Sequence, residues 1–149
     1  TLGLSVFTNY AYVDARYTRW DNPATINDPS KNQIGKRVEN APEHILRTGL
    51  SIKFKGFTAT VQYNYVAAVF TDALNTIEPN ATFTTGQLRA YQLLDFNMTY
   101  ALKDLYQFRA GINNLTNEMY ATRRAGGYPG PGILPGTPRT FYLSIGVKL

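Results

Sequence analysis

Six segments of this chain alternate apolar and polar residues with a period of two, and the connections between them are either very short or very long. In the C-terminal stretch RTFYLSIGVKL, Phe141, Leu143, Ile145, Val147 and Leu149 hold the odd positions. Tyr142, Ser144, Gly146 and Lys148 lie between them. Successive side chains of a strand point to opposite faces, so such a segment has one apolar face and one small or polar face. The same pattern places Leu2, Leu4, Val6, Tyr10 and Tyr12 together, then Leu46, Leu50, Ile52 and Phe54. It continues with Phe57, Ala59, Val61, Tyr63 and Tyr65, with Leu94, Phe96, Met98, Tyr100 and Leu102, and with Tyr106, Phe108, Ala110 and Ile112.

The short connections set the register. Only Lys55 and Gly56 separate the second and third segments, which predicts a two-residue hairpin pairing Phe54 with Phe57, Ile52 with Ala59, Leu50 with Val61 and Leu46 with Tyr65. Lys103, Asp104 and Leu105 separate the fourth and fifth, pairing Leu102 with Tyr106, Tyr100 with Phe108, Met98 with Ala110 and Phe96 with Ile112. In both hairpins apolar residues meet apolar residues. A slip of one position would break that agreement everywhere.

The other connections run from about Asp14 to Glu43, Thr71 to Leu88 and Asn117 to Thr137, and are rich in proline, glycine, asparagine and threonine. Short turns therefore gather at one end of the sheet and long loops at the other, the layout of an outer-membrane β-barrel. A soluble β-sandwich has no reason to segregate its loops by length, and its second face would not be polar. Eleven tyrosines against one tryptophan suit half-wet positions at a membrane interface. No run of about eighteen apolar residues offers a transmembrane helix. The first residues, TLGLSVFTNY, read as mid-strand and not as a signal peptide. Six strands are too few for the smallest such barrels, which have about eight, so the expectation is a piece of a larger barrel.

The formal charge of +5 does not predict nucleic-acid binding. Asp14 to Glu43 contains five basic and five acidic residues, while Lys53, Lys55, Lys103 and Lys148 are scattered at strand ends. The chain has no cysteine, and its single histidine, His44, has no partners spaced for catalysis or metal binding, so neither an enzyme nor a cofactor is expected. Asp95 and Arg109 read as an ion pair on the polar face. Candidate binding residues are in the long loops: Arg16 and Arg19 flanking Tyr17, and Arg123 and Arg124 before the GGYPGPG tip that carries Tyr128. Guanidinium suits carboxylate or phosphate because its donors are planar and forked. The competing reading is that these arginines make loop-to-loop salt bridges or touch anionic headgroups.

The segment GINNLTNEMYATR resembles the penultimate-strand motif of TonB-dependent outer-membrane receptors, N-L-x-N/D-x-x-Y. PGTPRTFYLSIGVKL resembles their closing strand, and RVENAPEHILRTGLSIKFKGF an earlier one. FTDALNTIEPNATFTTGQLRAYQLLDFNMTY is similar to the branch of ferric-dicitrate receptors. The resemblance implies a roughly 22-stranded barrel with an N-terminal plug. Residues 1–149 would be the C-terminal part of the barrel domain, with plug and earlier strands outside them. It further implies import of a ferric chelate such as ferric citrate, energised by the TonB complex through that missing N-terminal region. Outer-membrane lipid and lipopolysaccharide would surround the barrel in the bacterial cell outer membrane. A non-transporting structural or adhesive barrel is the alternative, with a soluble ligand-binding β-domain third.

Overall fold

The computed structural model describes residues 1–103 and 105–148. Asp104, in the second short turn, and Leu149, the last expected apolar-face residue, lie outside them. The predicted segments form β1 (Gly3–Tyr12), β2 (His44–Phe54), β3 (Phe57–Val66), β4 (Tyr91–Leu102), β5 (Tyr106–Asn113) and β8 (Thr140–Val147). They make one sheet in the order β1-β2-β3-β4-β5-β8, every pair antiparallel. Two further strands, β6 (Ala121–Ala125) and β7 (Gly132–Pro135), form a separate hairpin inside the third long loop. The sequence predicts only a constrained tip there, because these strands are too short to show a period.

Both short hairpins have the register expected of them: Phe54 faces Phe57, Leu50 faces Val61, Met98 faces Ala110 and Phe96 faces Ile112. The two-residue turn places Lys55 at φ 45° and Gly56 at φ 79°, the paired positive angles that match the twist of a tight hairpin. Lysine lacks glycine's freedom there. Its ammonium lies 5.3 Å from the centroid of the Phe54 ring.

Sheet chemistry is inverted relative to a soluble domain. Among the described residues the only buried apolar side chain is Leu88, in a loop, at 5% exposure. The apolar face is open along its length, from Leu4, Val6 and Tyr10 through Leu50, Val61 and Met98 to Leu143 and Ile145. Among the described residues no second sheet covers it, and β6–β7 pair only with each other. A surface of this size and continuity in water is an interaction site or a liability. Facing hydrocarbon, it is the ordinary exterior of a barrel strand. The main strands carry eight to twelve residues, close to the length a tilted strand needs to cross a bilayer.

Polar groups on the apolar face are satisfied locally. The Thr8 and Thr48 hydroxyls lie 2.9 Å apart, and Thr48 also donates to the Phe7 carbonyl at 2.9 Å. At the long-loop end Tyr10 and Tyr12 pack on His44, whose Nδ1 is 2.8 Å from the Tyr10 hydroxyl. Phe54, Phe57, Tyr100, Tyr106 and Phe108 gather at the short-turn end. Aromatic bands at both ends are what two membrane interfaces select.

The opposite face is a polar wall. Ser51 and Thr60 share a 2.7 Å hydrogen bond, and Asn64 donates to Asp95 at 3.2 Å. Phe7 and Tyr142, the aromatic exceptions in β1 and β8, lie across Gly49 and Gly111. One sequence expectation fails here. Arg109 stands opposite Thr99, four residues from Asp95, and donates instead to Gln107. Asp95 is occupied by Asn64 and by the backbone amide of Asn114, so the expected Asp95–Arg109 pair does not form.

Candidate functional site: the fastened long loops

The three long loops continue the sheet before they diverge. The β1–β2 ladder extends into the first through Val13 with Glu43, Ala15 with Val38 and Tyr17 with Lys36 and Gly35. The second is pinched by a bridge between Val69 and Leu88. The third leaves β5 through Asn114, a residue 3% exposed with φ 52°, a backbone state asparagine tolerates better than most.

Asn114 explains why the motif Asn-Leu-x-Asn-x-x-Tyr has its spacing. Its amide donates to the Glu118 carbonyl at 2.9 Å and to the Thr137 carbonyl at 3.2 Å, while its oxygen accepts from the Glu118 amide at 2.8 Å. Asn117 accepts from the Arg139 amide at 3.1 Å. Two asparagines three residues apart thus tie both ends of the loop together. Tyr120 then lies against Gly136, where a Cβ would enter its ring, and stacks on Tyr91 with centroids 4.4 Å apart. The Gly-x-Pro-Arg-Thr segment is the other half of this closure.

Loop-to-loop bonds make the three loops one cover. Asn75 accepts from the Arg37 amide at 2.7 Å and donates to its carbonyl at 2.8 Å, and Lys36 donates to Leu74. Asp72 shapes that segment by accepting from the Leu74 amide and the Thr76 hydroxyl. Arg124 reaches the second loop, donating to the carbonyls of Gly86 at 3.0 Å, Phe83 at 2.9 Å and Gln87 at 3.5 Å.

The sequence candidates therefore divide. Arg16 pairs with Asp14 at 2.7 Å and Arg19 with Asp21 at 2.5 Å. Arg124 is committed to backbone carbonyls. Arg123 and Tyr128 face solvent, Tyr128 fully. No hydrogen bond or ion pair joins any of the five to another among the described residues. Sequence reasoning marked Asn114 only as the start of the Asn-Leu-x-Asn-x-x-Tyr motif and gave no site role to Asn75, Asn114 or Arg89. The roles of the first two follow from what their amides reach, and Arg89 is found by the groove it lines.

That groove, of about 640 Å³, lies between the second loop and the β6–β7 hairpin, floored by Leu88, Tyr91 and Tyr120. Arg89, Arg124, Glu78 and Glu118 supply its charges.

Titration of the cover is set by its ion pairs. Arg37 binds Glu43 at 2.5 Å, and its hydrogen bond holds the Glu43 carboxyl below the usual carboxylate range. The contact is complete above that range and is lost as pH falls through the depressed value. The first loop is expected to become more protease-sensitive as pH falls through and below the usual carboxylate range, less steeply so in Glu43→Gln. An identical profile in the variant refutes this.

Comparison with known proteins places this geometry. The family profile described as TonB dependent receptor-like, beta-barrel, matches residues 1–115. The chain belongs to this family. The vitamin B12 transporter BtuB of Vibrio cholerae serotype O1 is 30% identical over 114 residues, covering 76% of this chain and 17% of that protein. The crystal structure of the unliganded ferric citrate transporter FecA superposes with a TM-score of 0.81 at 23% identity, over 94% of this chain and 20% of that one. The siderophore receptor PiuA from Acinetobacter baumannii gives 0.74 at 18% identity, over 95% and 19%. This chain of the TonB-dependent receptor family thus spans about a fifth of the proteins it matches. Its sheet accordingly ends in two strands, β1 and β8, with one neighbour each, as a section of a larger barrel does.

Proposed function

We propose that residues 1–149 form the C-terminal part of the barrel domain of an outer-membrane transporter that imports a ferric chelate, ferric citrate or a similar siderophore. On this reading the plug and the earlier strands belong to the rest of the protein, which engages the TonB complex, and lipid and lipopolysaccharide contact the apolar face. One observation carries it: the receptor-family sheet ends, on its long-loop side, in a fastened cover with a formed groove. A purely structural barrel has no need of such a site. Arg123 and Tyr128, exposed at the hairpin, are proposed as first contacts for the ligand, while Arg124 fastens the second loop to the third and Arg16 and Arg19 pair with aspartates within the first. The 30% identity to vitamin B12 transporters favours a corrinoid as the second reading.

Radioiron uptake by iron-starved cells that carry or lack the full receptor tests this. Receptor-dependent uptake from a ferric chelate, abolished by a protonophore, is the expected result. In the same cells an impermeant thiol reagent should label Tyr128→Cys and Ile26→Cys but not Lys103→Cys. Uptake of cyanocobalamin alone selects the second reading. Correct labelling with no receptor-dependent uptake of either makes the protein a structural or adhesive barrel.

A further inference from the structure

Charge is unevenly placed between the two ends of the sheet. In the first long loop five basic residues meet five acidic ones. Among the described residues every aspartate and glutamate lies in a long loop or, like Asp95, in the half of a strand nearest the long loops. Lys53, Lys55, Lys103 and Lys148 stand at the short-turn end, and all four are exposed. Asp104 is the one acidic residue that the sequence sets beside them. Most of the formal charge of +5 therefore gathers at this rim.

The rim is continuous. The Ala101 amide donates to the Gly56 carbonyl at 2.9 Å, so the turn carrying Lys55 abuts the strand end that leads to Lys103. The Lys148 amide donates to the Leu105 carbonyl at 2.9 Å, which sets Lys148 against the same second turn. The two short turns are two strands apart, a separation of about 10 Å. Next to them the apolar face carries its aromatic band of Phe54, Phe57, Tyr100 and Tyr106. The Lys55 ammonium lies 5.3 Å from the Phe54 ring centroid, on the apolar side of the rim. A lysine stem so placed follows apolar surface while its charge reaches the headgroups.

Backbone preference does not account for these lysines. Lys55 has φ 45° and Lys103 φ 52°, a region where glycine or asparagine is less strained. A requirement for charge gives lysine a reason to be there. We propose that this rim binds the phosphate of anionic phospholipid, of the phosphatidylglycerol type, in the leaflet on the short-turn side. Turns of two and three residues hold the ammonium groups at the membrane surface, and their spacing along the rim suits separate headgroups. A folded acidic protein would call for a compact patch standing clear of the bilayer. The bonds are charge-assisted, from ammonium to phosphate oxygen. The proposal rests on the membrane orientation used above and does not depend on which ligand is imported.

A local fluorescence measurement tests it. The full receptor, with Leu105→Cys as its only cysteine, is labelled at the exposed second turn and placed in phosphatidylethanolamine vesicles. Doxyl-labelled phosphatidylglycerol should associate there about fivefold more strongly than doxyl-labelled phosphatidylcholine at low salt. The preference should fade at about 0.5 M salt. Lys55→Asn and Lys103→Asn remove charge while suiting the positive φ, so the sheet is retained. Each should reduce the preference and the pair should abolish it, whereas Lys31→Ala in the first long loop should change nothing. Equal quenching by the two lipids in the parent receptor overturns the proposal, and so does a preference that survives in the double variant. Either result leaves the import reading standing, because radioiron uptake reads the ligand and not the rim.

Discussion

Val61→Arg is expected to block assembly of the barrel, whereas Gln62→Arg one residue away is expected to be accepted. Val61 sits mid-strand on the apolar face, between Leu50 on β2 and Phe96 on β4, and is 41% exposed. An arginine facing lipid near the midplane costs about 2–4 kcal/mol. Neighbouring apolar side chains offer it nothing in return. Gln62 points to the polar face directly opposite Asp95, so an arginine there remains hydrated and gains a carboxylate neighbour. Heat-modifiable mobility of the receptor in outer-membrane fractions, with urea unfolding in detergent, reads both variants. Equal losses would show that the two faces have been assigned the wrong solvents.

Asn114→Ala is expected to release the third loop while leaving the membrane-spanning sheet intact. The substitution strands the Glu118 amide and the carbonyls of Glu118 and Thr137 in a buried site, and each unsatisfied group costs about 1–3 kcal/mol. Alanine is also less tolerant than asparagine of the positive φ at this position. Local stability of the hairpin should fall by about 3 kcal/mol. Asn114→Asp restores only the acceptor for Glu118 and should be intermediate at best. Hydrogen exchange at Glu118 and Arg139, with proteolysis at the Gly126–Gly132 tip, follows the release. Unchanged exchange would mean that the Tyr120 packing alone holds the loop closed.

The strands were legible because membrane and lumen impose opposite solvents on alternate residues. That constraint acts on every position from Phe57 to Val66, so a single sequence displays it. Register was legible for the same reason, since Phe54–Phe57 and Leu102–Tyr106 are the pairings in which both faces agree. The β6–β7 hairpin was not: its strands of five and four residues are held by Arg124 and by the ends of the loop rather than by a period of their own. Arg124 shows the limit for the site as well. Its type suggests an anion, but its partners are three carbonyls some forty residues earlier in the chain.

The sequence by itself determined the six spanning strands, their faces, both short turns and the separation of short from long connections. Each follows from local rules, alternation and turn chemistry, that act over a few residues. Only the tertiary structure decided which polar groups meet. Asp95 passes over Arg109 for Asn114, Asn75 clasps the backbone of Arg37, and Arg89 comes to line one groove with Arg124, Glu78 and Glu118. These choices depend on distances between loops far apart in the chain, where a side chain's type states what it can bind and only its position states what it does bind.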